Sequence, residues 1–144
     1  MKKKLALEFI CALFILLFTY AAGMKLTDVQ KFTVQISQSP ILENYAGFVA
    51  WAIPILELVI AVMLVMARFR LMALYAAFTL MTMFTLYIIA ILQFSYKIPC
   101  SCGGILESMG WTEHLIFNIG FVLLAIAGIA LYYNTEERNT PAIA

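Results

Sequence analysis

Four stretches of this chain run almost free of charge: residues 5–23, 46–66, 71–94 and 113–133. Glu8 interrupts the first, Glu57 the second and nothing the third, while the fourth carries Glu113 and His114 only at its start. At about 1.5 Å per helical residue, 5–23 reaches roughly 27 Å, close to the ~30 Å hydrocarbon thickness of a bilayer. Blocks of this kind predict membrane spans and not the core of a soluble domain. Composition agrees. Of 144 residues 65% are hydrophobic and only 12% charged, too few to clothe a water-exposed surface. The expected architecture is an all-α membrane protein: a four-transmembrane-helix bundle forming a single integral membrane domain over 1–144. The start, Lys2-Lys3-Lys4 with Ala21-Ala22-Gly23 downstream, has the look of a secretory signal, but its apolar part is long, so it reads as a retained first span.

The connections differ in character. In 24–45, Leu26, Val29, Phe32 and Ile36 recur at helical spacing, with Lys25, Asp28, Lys31 and Gln35 elsewhere. This predicts a short amphipathic helix on the membrane surface, starting near Thr27 and ended by Ser39-Pro40. Tyr45, Phe48 and Trp51 form an interfacial belt. Arg68-Phe69-Arg70 makes a tight basic turn. Thr112 is the expected N-cap of the last helix, with Glu113 in its first turn, and residues 134–138 form a polar tail. With four spans, Lys2, Lys3, Lys4, Arg68, Arg70 and Arg138 fall on the side of the termini, and only Lys25, Lys31 and Lys97 on the other. That bias predicts cytoplasmic termini and an outward-facing loop at 95–112, in an oxidising compartment such as a periplasm. The net charge is +1, and no basic patch beyond the N-terminal lysines points to nucleic acid.

The reactive residues gather in that loop. Pro99-Cys100-Ser101-Cys102-Gly103-Gly104 is followed by His114, the sole histidine. A disulfide between Cys100 and Cys102 would close a small, strained and easily reduced ring. The glycines allow a tight turn beside it, and His114 would exchange a proton nearby. A stapled loop without turnover and a pair of free thiols are the bland readings of the same residues. Cys100, Cys102 and His114 would also suit copper(I) or zinc, with Glu107 or Glu113 as filler. Cys-x-Cys is a poor chelating span, however, so no metal is expected. Cys11 lies about 18 Å below the outer surface, beyond disulfide reach, and reads as a small hydrophobe. Glu57 lies near the bilayer midplane, where an acid is costly unless protonated or paired and is a functional candidate for that reason. Pro54 frees a backbone carbonyl one turn before it. Tyr87, Thr79, Thr82 and Thr85 of the third span are its expected hydrogen-bond partners. A proton relay and a neutral acid pinning two helices are equal readings of Glu57. His114 and Asn118 share a helix face descending from the loop. Gly120 and Gly128 are expected at close helix contacts, and the methionines in packing.

Gly23-Met24-Lys25-Leu26 with Asp28, Pro54-Ile55-Leu56-Glu57, and Pro99-Cys100-Ser101-Cys102-Gly103-Gly104 followed by Trp111 and Asn118 together resemble the MauE/DoxX family of small four-helix redox-associated membrane proteins. The resemblance covers nearly the whole chain in order and topology. It implies a bundle in a bacterial inner membrane that serves electron transfer or disulfide maturation of exported proteins. Cys100 and Cys102 would be the redox pair and Glu57 the family's acidic position. The DoxX side of the likeness implies a membrane quinone, for which Glu57, Tyr87 and Asn118 are the candidate binding residues. Gly103 departs from the pattern, which often has an aromatic residue after the second cysteine.

Two functions are carried forward. In the first, the chain is a thiol–disulfide redox protein that exchanges with an exported thioredoxin-like partner and passes electrons to or from a quinone. The lack of a second cysteine pair makes such a carrier, or a partner subunit, necessary. In the second it is a non-enzymatic membrane subunit whose cysteines merely tie a loop. A transporter gated by Glu57 is a weaker third, since four spans make a thin pore.

Overall fold

The computed structural model describes residues 1–94 and 110–139. Among the described residues five α-helices carry the fold: α1 (Lys2–Thr27), α2 (Val29–Ser37), α3 (Ala46–Val65), α4 (Arg70–Phe94) and α5 (Trp111–Asn139). All but α2 are long and apolar enough to cross a membrane. The protein is thus an all-α four-helix membrane bundle with a short extra helix after its first span. The cysteine-bearing segment expected at 95–112 falls, up to residue 109, outside the described residues.

The helices pack as a ring, with α1 and α4 each touching both α3 and α5. Ile10 of α1, Leu74 of α4 and Gly128 of α5 meet near one end, so both ends of the described chain lie at that end. The core there is dense. Phe14 and Phe18 of α1 are fully buried, and Phe14 stands edge-on to Phe121 of α5 with ring centres 5.2 Å apart. Ala73, Ala77 and Ala125 are fully buried too, and their small side chains let α4 and α5 approach closely. Cys11 is a buried free thiol within this cluster. A second, smaller cluster joins Ile36 of α2 to Ala46 and Ala50 of α3 at the opposite end.

Several local expectations are corrected. α1 does not stop at Gly23 but runs on through Lys25 to Thr27, so Lys25 belongs to the first long helix and not to the surface helix. Asp28 leaves helical geometry and caps α2, its Oδ1 accepting from the Lys31 backbone N–H at 3.0 Å. α5 begins at Trp111, not after a Thr112 cap. Instead Glu113 reaches back to accept the Gly110 N–H at 3.2 Å. The supposed polar tail continues α5 to Asn139. Thr79, Thr82 and Thr85 do not turn toward Glu57. Each donates to the carbonyl one turn earlier in α4, at 2.7–2.9 Å, which satisfies the hydroxyl inside its own helix.

The two glycines of α5 also part ways. A Cβ on Gly128 would sit 3.2 Å from both Ile10 Cγ2 and Leu74 Cδ2, whereas one on Gly120 would meet nothing within 4 Å. Gly120 therefore makes no close contact among the described residues. Gly128→Leu should wedge α5 away from α1 and α4 and lower stability by about 1–3 kcal/mol in thermal unfolding of the detergent-solubilised protein. Gly120→Ala should leave stability unchanged or raise it by up to about 1 kcal/mol, because alanine is the better helix former.

Candidate functional site

At the end away from the termini the helices separate around a cavity of about 720 Å³. Its walls come from the last turns of α1, from α2, from the first half of α3, from the second half of α4 and from the start of α5. The side chains change character along the bundle. Alanines and Gly128 hold the helices together at one end, while Tyr20, Phe84, Tyr87, Trp111 and Phe117 stand along the cavity at the other.

Within this mostly apolar wall lies an ion pair. Lys25 Nζ contacts Glu57 Oε1 at 2.5 Å, linking α1 to α3. Glu57 is 1% exposed and Lys25 15%. Helix geometry explains how they meet. Side chains lean toward the N-terminus of their own helix, and α1 and α3 are antiparallel neighbours. Lys25, near the end of α1, leans back into the bundle, and Glu57, midway along α3, leans out toward it. Lys25 also closes the C-terminal turn of α1, where a cation is favoured. Its ammonium sits 5.0 Å from the ring centre of Phe84 and 5.6 Å from that of Phe32, so α2 and α4 supply aromatic faces to the same charge. The other carboxylate oxygen, Glu57 Oε2, is buried and has no hydrogen-bond partner among the described residues.

Four of the six residues singled out from sequence line this one cavity: Glu57, Tyr87, His114 and Asn118. Asn118 is buried, and its Nδ2 donates to the His114 carbonyl at 3.0 Å, which fixes the amide against the turn of α5 that carries the histidine. His114 and Tyr87 are half-buried. Cys100 and Cys102 lie outside the described residues, in the segment that joins two cavity-lining helices, α4 and α5. Among the described residues no group of three or more His, Cys, Asp or Glu is placed to hold a metal ion.

Sequence reasoning overlooked Lys25, having placed it in the surface connection. A signal did exist. A buried carboxylate in a span calls for a cation, and Lys25 is a basic residue just past the first apolar stretch, within the motif Gly23-Met24-Lys25-Leu26.

This geometry makes a prediction about the pair. Lys25→Met leaves the buried Glu57 without its cation and should cost about 3–5 kcal/mol, while Lys25→Met combined with Glu57→Leu should recover most of that loss. Denaturant unfolding of the two variants in detergent, read as a double-mutant cycle, measures the difference.

Comparison with known families gives a match over most of the chain. The profile described as methylamine utilisation protein MauE aligns with residues 3–131, nearly the whole chain and all four long helices. Comparison with curated proteins gives no match, and neither does comparison with solved structures. A likeness of this extent, carried by a chain folded as four membrane-spanning helices, establishes that the protein belongs to the MauE family.

Proposed function

We propose that this protein is a thiol–disulfide redox protein of a bacterial inner membrane, with Cys100 and Cys102 facing outward and exchanging with an exported thioredoxin-like partner. The observation that carries the reading is the charged cavity. The helices on either side of the cysteine segment, α4 and α5, both contribute to its wall. An ion pair kept inside an apolar bundle supports a site that handles charge within the membrane and not a bundle that serves only as an anchor. The family's description names methylamine utilisation. The proposal requires no particular amine, only an exported protein with exchangeable cysteines.

In the exchange, a thiolate of the partner attacks one sulfur of a Cys100–Cys102 disulfide, which releases the other sulfur as a thiolate and leaves a mixed disulfide. A second partner thiolate attacks the mixed disulfide. The partner then holds a disulfide, and Cys100 and Cys102 hold the two electrons as thiols. The reverse sequence moves the same atoms backwards and reduces the partner. His114, one helical turn into α5 and lining the cavity, is the group we assign to holding or giving a proton at the exchanging sulfur.

The DoxX side of the resemblance brings a membrane quinone into the proposal, and the cavity suits one. It is mostly apolar, has room for a ring headgroup and part of a chain, and carries the Lys25–Glu57 pair in its wall. Bound there, a quinone supplies a two-electron, two-proton couple to the membrane. Lys25 would donate to a ring oxygen, Glu57 would hold Lys25 in place and neutralise it, and Asn118 and Tyr87 would border the headgroup. The apolar walls would keep water from the pair.

Thiol trapping in intact membranes tests the reading. Cys100→Ser and Cys102→Ser, made singly, should each accumulate a mixed disulfide with an exported protein or block its formation. Together they should shift the steady redox state of that protein. Cys11→Ser should do neither. Unchanged partner redox states in the double variant would contradict the proposal.

A further inference from the structure

We infer that the cavity takes an uncharged amphiphile that enters sideways from the bilayer, with its polar headgroup against Lys25 and its apolar chain passing out over Ile41, Met83 and Leu86. The inference rests on the carrier site proposed above and adds the charge class of its occupant and the route by which it arrives.

Charge comes first. Among the described residues four formally charged side chains line the cavity, Lys25 and Lys31 against Asp28 and Glu57, and they cancel. The deep cation is already matched, since Lys25 is bound to Glu57 and faced by two aromatic rings. A carboxylate or phosphate headgroup placed at Lys25 would bring a second anion beside Glu57, with Lys31 out on the exposed rim. In a wall of low dielectric that arrangement carries the full cost of an unmatched charge. A hydroxyl or carbonyl has no such cost. It needs only a donor, and an ammonium has three N–H bonds, of which Glu57 Oε1 uses one. A cationic headgroup meets the same objection from Lys25 itself.

The route follows from exposure. Met83 and Leu86 lie on a membrane-spanning helix and line the cavity, yet they are 58% and 60% exposed, and Ile41, also in the wall, is 59% exposed. Residues that belong both to a cavity wall and to the outer surface mark where the wall is incomplete. Here that surface is apolar and lies on α4, so the gap opens onto lipid. A volume of about 720 Å³ holds a headgroup and the first part of a chain, and the remainder would extend through the gap.

Trp111 lines the cavity and reports on occupancy, whereas Trp51, the other tryptophan, is exposed on α3. With Trp51→Phe as the background, the full chain in nanodiscs is titrated with 2-bromododecanol, 2-bromododecanoate and a 2-bromododecyl-trimethylammonium salt, each of which carries next to its headgroup a bromine that quenches tryptophan by contact. The alcohol should quench Trp111 saturably and bind at least about tenfold tighter than either ion. Glu57→Gln, which leaves Lys25 unmatched, should bring the carboxylate level with the alcohol or ahead of it. Tighter binding of either ion to the unsubstituted cavity, or no saturable quenching by the alcohol, would overturn the inference whether or not the Gln variant folds. The titration is repeated with Cys100→Ser/Cys102→Ser. Binding that persists there while thiol trapping fails would sink the redox reading alone, and trapping that succeeds while binding fails would sink this inference alone.

Discussion

An ammonium and a carboxylate that meet inside an apolar helix bundle constrain every helix near them. Lys25 and Glu57 lie 32 positions apart in sequence, and their contact requires α1 and α3 to be neighbours, antiparallel and in one register. It also requires α1 to run past the point where its apolar stretch ends, so that a lysine at its last turn can lean back into the bundle. Phe32 of α2 and Phe84 of α4 then close over the charge, which ties the surface helix and a third span to the same point. Net stability does not explain such a pair, since the desolvation of two ions offsets most of their attraction. Its structural effect is specificity: it selects which helices touch and leaves a matched pair of charges in the wall of a cavity.

The rest of the bundle divides the work. At the end that holds the termini, Ala73, Ala77, Ala125 and Gly128 let the helices close up around Phe14 and Phe18. At the other end bulky side chains hold the same helices apart. The tight half gives the open half a rigid base, so the ion pair does not have to hold the helices together unaided. A segment bearing Cys100 and Cys102 between α4 and α5 is thereby attached to helices whose spacing is set by the dense core below and by the charged cavity above.

Much of the fold could be read from the chain, because a bilayer leaves few options for long apolar stretches. The second and third spans, expected at 46–66 and 71–94, appear as Ala46–Val65 and Arg70–Phe94. Helix ends were harder to read. Neither Gly23 nor Thr112 ends or starts a helix, because packing at the cavity carries α1 onward and Glu113 caps α5 from inside. Glu57, Tyr87, His114 and Asn118 were each picked out as polar groups in apolar surroundings, and they do line one cavity. Their assembly was not legible, since it depends on which helices adjoin. The partner of Glu57 was misassigned for the same reason. Thr79, Thr82 and Thr85 are near it in polarity but are already satisfied by their own helix, and Lys25 looked like a surface residue until the direction of its side chain was known.

The central claim is that Lys25 and Glu57 touch within the membrane. Solid-state NMR on the full chain in lipid bilayers, with ¹⁵N in lysine side chains and ¹³C in glutamate carboxyls, tests it directly. The contact requires strong dipolar coupling between Lys25 Nζ and Glu57 Cδ, lost in Lys25→Met and in Glu57→Gln. Absence of that coupling in the unsubstituted protein would contradict the account.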